Sequence, residues 1–203
     1  MWKYDAVDWV ACSLLTFYPW QTDLHSASSS AGSQEYWDAR YAKETEPFDW
    51  YQRYSGLRPV FSRFLPRGQR ILHAGCGNSR LAEELLDDGY ADIVNVDLSP
   101  TVIAAMRTRY RQRSGLTWIA GNMTVLATAA PPQFAADASY GAVVDKGTLD
   151  SILCGEAATA QAAKYLGEVS RLLRPGGVLL VVSFGTPETR LRCVWLASRS
   201  VTR

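Results

Sequence analysis

The chain of 203 residues is predicted to be an α/β protein built on a doubly wound, Rossmann-like parallel sheet. Three observations predict this. Short apolar runs recur at residues 70–74, 92–97, 116–120, 140–145 and 178–184, each the length of a buried strand. Helical patterns alternate with them. The first run passes straight into Gly75-Cys76-Gly77-Asn78-Ser79, a glycine loop with a helix directly behind it. Strand, glycine loop and helix in that order make a nucleotide pocket.

The elements follow in order. Residues 1–33 carry no motif and are read as a flexible N-terminal arm, with a Ser/Ala/Gly linker at 26–33. Its stretch 7–20 is moderately apolar. It lacks a basic flank and has Asp5 and Asp8 nearby, so it is not read as a signal peptide. Residues 34–203 form the folded domain. Tyr36, Trp37 and Tyr41 sit at helical spacing in residues 34–42, and a second helix covers 57–64 before Pro66 and Gly68. Strand one is 70–74, and the helix 80–88 buries Leu81, Leu85 and Leu86 before Gly89 ends it. Strand two is 92–97. Ser99-Pro100 opens the helix 101–111, whose inward residues are Val102, Ile103 and Met106. Strand three is 116–120 and strand four 140–145. A helix at 159–173 stops at Arg174-Pro175-Gly176-Gly177, before strand five at 178–184. A fresh helix start at 186–189, residues 191–196 and a polar tail at 197–203 complete the chain.

Composition excludes several classes. The net charge of +1 gives no global basic field for nucleic acid. No segment is long and apolar enough to span a bilayer. Cys12, Cys76, Cys154 and Cys193 are widely spaced and two His are too few for a usual zinc site, so reduced thiols and no metal are expected, in a cytoplasmic protein.

Asp97 ends strand two about twenty residues beyond the loop, where a carboxylate grips both ribose hydroxyls of an adenosine ligand. Its bland alternative is a helix cap, a role Ser99 already fills. Arg80 stands where a dinucleotide loop has its third glycine, and there is no P-loop lysine. Both absences favour an adenosine ligand without pyrophosphate. S-adenosylmethionine is one.

Four motifs then carry a resemblance: Gly75-Cys76-Gly77-Asn78-Ser79, Asn95-Val96-Asp97-Leu98-Ser99, Val144-Asp145-Lys146-Gly147-Thr148-Leu149-Asp150 and Leu173-Arg174-Pro175-Gly176-Gly177. Together they resemble class I S-adenosylmethionine-dependent methyltransferases. With Glu35-Tyr36-Trp37-Asp38-Ala39-Arg40-Tyr41 and Phe48-Asp49-Trp50-Tyr51, residues 34–185 resemble the methyltransferase-like group that methylates lysines of translation elongation factor 1-alpha.

The resemblance implies S-adenosylmethionine as cofactor and elongation factor 1-alpha as protein substrate. It implies that Trp37, Tyr41 and Trp50 close over the cofactor and that Gly75, in the loop with Gly77, faces its amino-acid end. Asp97 and Leu98 would meet the ribose, Asn122 and Met123 the adenine, and Lys146 the neighbourhood of methyl transfer. Asn122 replaces the family's aspartate and would accept from the adenine amino group through its side-chain oxygen. Asp145 is a candidate to orient the acceptor, unless it pairs with Lys146; the catalytic residue is left open. His73 reads as a hydrogen-bonded core histidine. The family continues after strand five with a helix and an antiparallel hairpin. No sequence for that hairpin is found, so a sheet with one uncovered edge is expected. The alternatives are a cofactor-binding inactive scaffold, a small-molecule methyltransferase and, least of all, a nicotinamide-dependent oxidoreductase.

Overall fold

A computed structural model describes residues 32–190 and, as backbone alone, 7–13. The expectations for residues 191–203 and for most of the linker lie outside the described residues. The sheet has six strands in the order β1-β6-β5-β2-β3-β4. They are β1 (Val7–Ser13), β2 (Ile71–Ala74), β3 (Ile93–Asp97), β4 (Leu116–Ala120), β5 (Tyr140–Lys146) and β6 (Leu173–Ser183). Every pairing among them is parallel. The helices are α1 (Gln34–Lys43), α2 (Tyr54–Phe64), α3 (Leu81–Asp87), α4 (Pro100–Arg109), α5 (Leu126–Ala129), α6 (Pro132–Ala135), α7 (Thr148–Cys154) and α8 (Ala158–Leu172).

Successive strand residues serve opposite faces. Ile71, Ile93, Ala142 and Val144 pack beneath α2, α3 and α4 with Leu57, Phe61, Leu81, Leu85, Ile103 and Met106. Leu72, Val94, Val96 and Val143 pack on the other side with Leu149, Tyr165, Leu166 and Val169 of α7 and α8. Both faces are covered, which is why the strands read as unbroken apolar runs.

The chain winds outward from β2 through β3 to β4, then returns to build β5 and β6 on the other side. The reversal falls between β2 and β5, and ligands bind such sheets at the carboxyl ends of the strands beside it. That is where the glycine loop leaves β2 and Lys146 ends β5.

Two elements differ from the sequence reading. The arm at 1–33 contains a strand: β1 pairs with β6 from Val7 opposite Gly177 to Ser13 opposite Ser183. The β6 edge, expected to be bare, is therefore paired. An apolar run with β-branched and aromatic residues suits an edge whose backbone groups need partners. β6 also begins earlier than expected. Tyr140 pairs with Leu173 and Ala142 with Val178, so Arg174, Pro175 and Gly176 swing out to solvent between two points of the ladder. The proline-glycine stop ends the helix as read but sits inside the strand.

Candidate active site

At the carboxyl ends of β2, β3 and β5 lies a cavity of about 550 Å³. Its floor is the glycine loop. Gly75 has φ +62°, and a Cβ there would collide with the Thr148 hydroxyl. Thr148 is fixed because its hydroxyl donates to the Ala74 carbonyl, 2.7 Å. Gly77 has φ +53°, and a Cβ there would lie 2.7 Å from the Tyr41 hydroxyl. Only glycine fits the turn and the approach at either position.

Asp97 ends β3 in the same cavity and is 6% exposed. Its carboxylate accepts the Gly77 N–H at 2.8 Å and the Ser99 N–H at 2.9 Å. These occupy about half of a carboxylate's acceptor positions and leave the rest for a ligand. Burial raises its pKa to about 6, against the lowering effect of those backbone N–H groups. Ser99 caps α4 through Val102 N–H, as the sequence suggests. It also donates to Asp38 of α1, which the sequence reading did not single out. Asp38 thereby ties the N-terminal helix to the end of β3.

The opposite wall is aromatic. Trp37 stacks on Tyr41 at 5.6 Å between ring centroids and meets Trp50 edge-on at 6.5 Å. Phe48 meets Trp50 edge-on at 4.9 Å. The Arg40 guanidinium lies 5.0 Å from the Trp50 ring and within cation–π range of Trp37 and Phe48. Asn78 fastens this segment to the loop, donating to the Glu44 and Glu46 carbonyls at 3.2 and 2.6 Å.

Lys146 carries the strongest link between wall and floor. Its ammonium donates to Asp49 Oδ1 at 2.9 Å and to the Trp50 carbonyl at 3.0 Å, with the lysine side chain 2% exposed. Asp49 also accepts from Ser79 of the glycine loop. Burial lowers the Lys146 pKa against the pull of Asp49. Burial alone would raise Asp49, but the lysine charge and the two hydrogen bonds hold it below the usual carboxylate range. Tyr51 follows with φ +63°, a conformation unusual for a bulky residue. Its hydroxyl donates to buried Asp150 at 2.6 Å. Asp150 also accepts from Ser183, from the Phe184 N–H and from Arg190, so the end of β6 is fixed through the same carboxylate.

All ten residues expected at the cofactor line this cavity: Trp37, Tyr41, Trp50, Gly75, Gly77, Asp97, Leu98, Asn122, Met123 and Lys146. Asp145 does not. It lies on the opposite face of β5 from Lys146 and does not pair with it. It accepts from Tyr165 Oη at 2.7 Å and from the N–H groups of Thr148 and Leu149 at 2.9 and 3.0 Å. Burial lifts its pKa to about 7. It caps the start of α7 rather than facing an acceptor.

Asn122 is spent differently from expectation: Oδ1 accepts both the N–H and the hydroxyl of Thr124, at 2.9 and 2.8 Å. That uses both lone pairs, so it shapes the loop after β4. His73 is buried and shares Nδ1 with Asn95 Oδ1 at 3.1 Å. Burial pushes its pKa down to about 4, so it is neutral. Thr148, Asp49, Tyr51 and Asp150 were present in the motifs, but their partners are distant in sequence and carried no signal.

Among the described residues no group of three His, Cys, Asp or Glu side chains is placed to hold a metal ion, and no helix is long and apolar enough to cross a membrane. A family model described as a methyltransferase domain matches residues 72–181. The chain is 36% identical over 168 residues to EEF1A lysine methyltransferase 4 of Mus musculus, covering 78% of this chain and 63% of that protein. It is 35% identical over 180 residues to the eEF1A lysine and N-terminal methyltransferase of Bos taurus, covering 87% of this chain and 25% of that protein. The chain thus spans less than two thirds of the length of either relative. Among solved structures it resembles the glycopeptide N-methyltransferase MtfA complexed with S-adenosyl-L-homocysteine, with 26% identity and a TM-score of 0.50 over 70% of this chain and 58% of that one. A TehB-like SAM-dependent methyltransferase from Corynebacterium glutamicum shares the fold, with a TM-score of 0.53 at 20% identity over 83% and 82% of the two chains. Matched over more than half of its length, the chain belongs to the S-adenosylmethionine-dependent methyltransferases.

Proposed function

We propose that the chain is a protein-lysine N-methyltransferase whose acceptor is a lysine of translation elongation factor 1-alpha. A cytoplasmic location goes with that substrate. The observation that carries the reading is the joining of two unlike walls in one cavity: a polar cradle of Gly75, Gly77 and Asp97, and an aromatic cluster of Trp37, Tyr41 and Trp50. The identity of the acceptor rests on the relatives named for eEF1A.

The lining fits the family's cofactor. The glycine cradle leaves room that a Cβ would fill, and Asp97 keeps acceptor capacity toward the cavity. When bound, S-adenosylmethionine supplies a methyl group already activated by its sulfonium charge. Gly75 and Gly77 would hold its amino-acid end, Asp97 and Leu98 would meet its ribose, and Met123 its adenine. The protein's main contribution is then alignment of the acceptor nitrogen. The aromatic wall excludes water and so favours the neutral amine, because desolvation lowers a lysine pKa. Trp37 and Trp50 already hold the Arg40 guanidinium within cation–π range, so these rings suit a cationic group. No carboxylate is required to take the proton: Asp145 is turned away, and Asp49 is already held by Lys146 and Ser79.

Methyl transfer from labelled cofactor to purified elongation factor 1-alpha, followed by peptide mass mapping, tests this directly. Label on a single lysine is expected. Cofactor binding by calorimetry without any transfer would remove the proposed acceptor.

A further inference from the structure

A second cleft, of about 540 Å³, lies on the far side of the aromatic segment and is lined by Arg80, Arg109, Arg111 and Arg113 with Pro47 and Glu83. It is one residue removed from the cofactor cavity along two stretches of chain. Phe48 lines the cavity and Pro47 the cleft; Ser79 lines the cavity and Arg80 the cleft.

The charges there do not cancel. Arg80 pairs with Glu83 at 3.1 Å, and Glu83 also accepts from Tyr110 Oη. Arg113 pairs with Asp87. Arg109 donates to the Thr45 carbonyl at 3.0 Å and lies 3.9 Å from Met106 Sδ. Arg111 reaches the Thr108 carbonyl at 3.5 Å. Arg109 and Arg111 are both exposed, and among the described residues their hydrogen bonds go to neutral atoms alone. Two guanidinium groups therefore face the cleft with no carboxylate paired to them among the described residues, and the planar guanidinium fork matches a carboxylate with two parallel hydrogen bonds.

We propose that this cleft holds an acidic segment of the protein substrate while its lysine enters the neighbouring cavity. The proposal rests on the reading of the chain as a protein methyltransferase. A peptide advances about 3.3 Å per residue, so acidic side chains a few positions from the acceptor can reach across the thin wall at residues 47–48. A nucleic-acid strand is the poorer occupant. It needs a basic track along its backbone, whereas this cleft is local and flanked by Glu83 and Asp87 on a chain of net charge +1.

The test begins with binding of a labelled oligoglutamate peptide, read by fluorescence anisotropy. The wild-type chain binds it, and added salt weakens the binding. R109E/R111E binds about tenfold more weakly, because like charges then face each other; R109Q/R111Q falls between. Cofactor affinity is the same in all three, which shows that the variants fold. With elongation factor 1-alpha as substrate, KM rises in the charge-reversed variant and kcat holds. Wild-type protein that ignores oligoglutamate, or reversal that leaves peptide binding intact, overturns the proposal. So does an oligonucleotide of equal charge that binds more tightly than the peptide. Peptide binding without any transfer to elongation factor 1-alpha supports the cleft and removes that acceptor instead.

Discussion

Asp97 shows how one side chain can serve the fold and the ligand together. Its carboxylate stitches the glycine loop to the start of α4, and the same group faces the cavity. Burial places its pKa at about 6, so it is charged at neutral pH and takes up a proton as the pH falls through that value. Its ordinary value is lower, so between the two values the folded state holds a proton that the unfolded chain has lost. This group's contribution to stability therefore declines as pH rises from about 4 to 6 and is level above. Ligand binding has the opposite sign, because only the carboxylate accepts fully from the ribose hydroxyls. Cofactor affinity measured by calorimetry is expected to weaken about tenfold from pH 7.5 to pH 5, as one pKa unit of protonation implies. Asp97→Asn is expected to bind weakly at both values with the pH dependence gone. A wild-type affinity that is level across this range would exclude Asp97 as the ribose acceptor.

At the scale of elements, the segment between α1 and α2 is fastened to the end of β5 by a buried ion pair, beside the Asn78 and Tyr51 hydrogen bonds. Lys146 and Asp49 are both largely withdrawn from water, and Lys146 also holds the backbone of Trp50. Removing one partner leaves the other charged and buried, which costs about 3–5 kcal/mol, whereas replacing both is far milder. Asp49→Ala and Lys146→Met should each lower the denaturation midpoint strongly. The double variant should lose much less than their sum. Cofactor affinity should fall in Asp49→Ala, because Trp50 loses its anchor. Additive losses would mean that the pair is not coupled. Residues 48–51 also mark how far the sequence could be read. The core strands and the glycine loop were legible because their signal is local: apolar runs, a turn residue, a cap. The aromatic residues could be placed only through the motif they share with a family. That Asp49 meets Lys146, or Tyr51 meets Asp150, was not legible, since their partners are nearly a hundred residues away and no periodicity links them. The orientation of Asp145 follows from strand geometry rather than from the motif. Its neighbour points into the cavity, and alternation along the strand turns Asp145 to the other face.

At the scale of the whole molecule, β1 closes one side of the sheet. Without it, β6 would present an open row of backbone groups alongside Val178-Leu179-Leu180-Val181-Val182, a long apolar edge suited to pairing with other chains. β1 covers this edge over seven registered positions from Val7 to Ser13. Each backbone bond contributes roughly 0.5–1.5 kcal/mol, so its loss removes a sizeable part of the stability of a domain this small. The cofactor cavity draws its strand residues from β2, β3 and β5, so β6 separates it from β1. Deletion of residues 1–13 should therefore divide two properties. Thermal unfolding should move to lower temperature, and light scattering should reveal association that grows with concentration. Cofactor affinity of the remaining monomer should be unchanged. A truncated chain that stays monomeric with its melting temperature intact would mean that β1 contributes nothing to the sheet. A loss of cofactor affinity in the monomer would mean that the sheet transmits its edge to the site, two strands away.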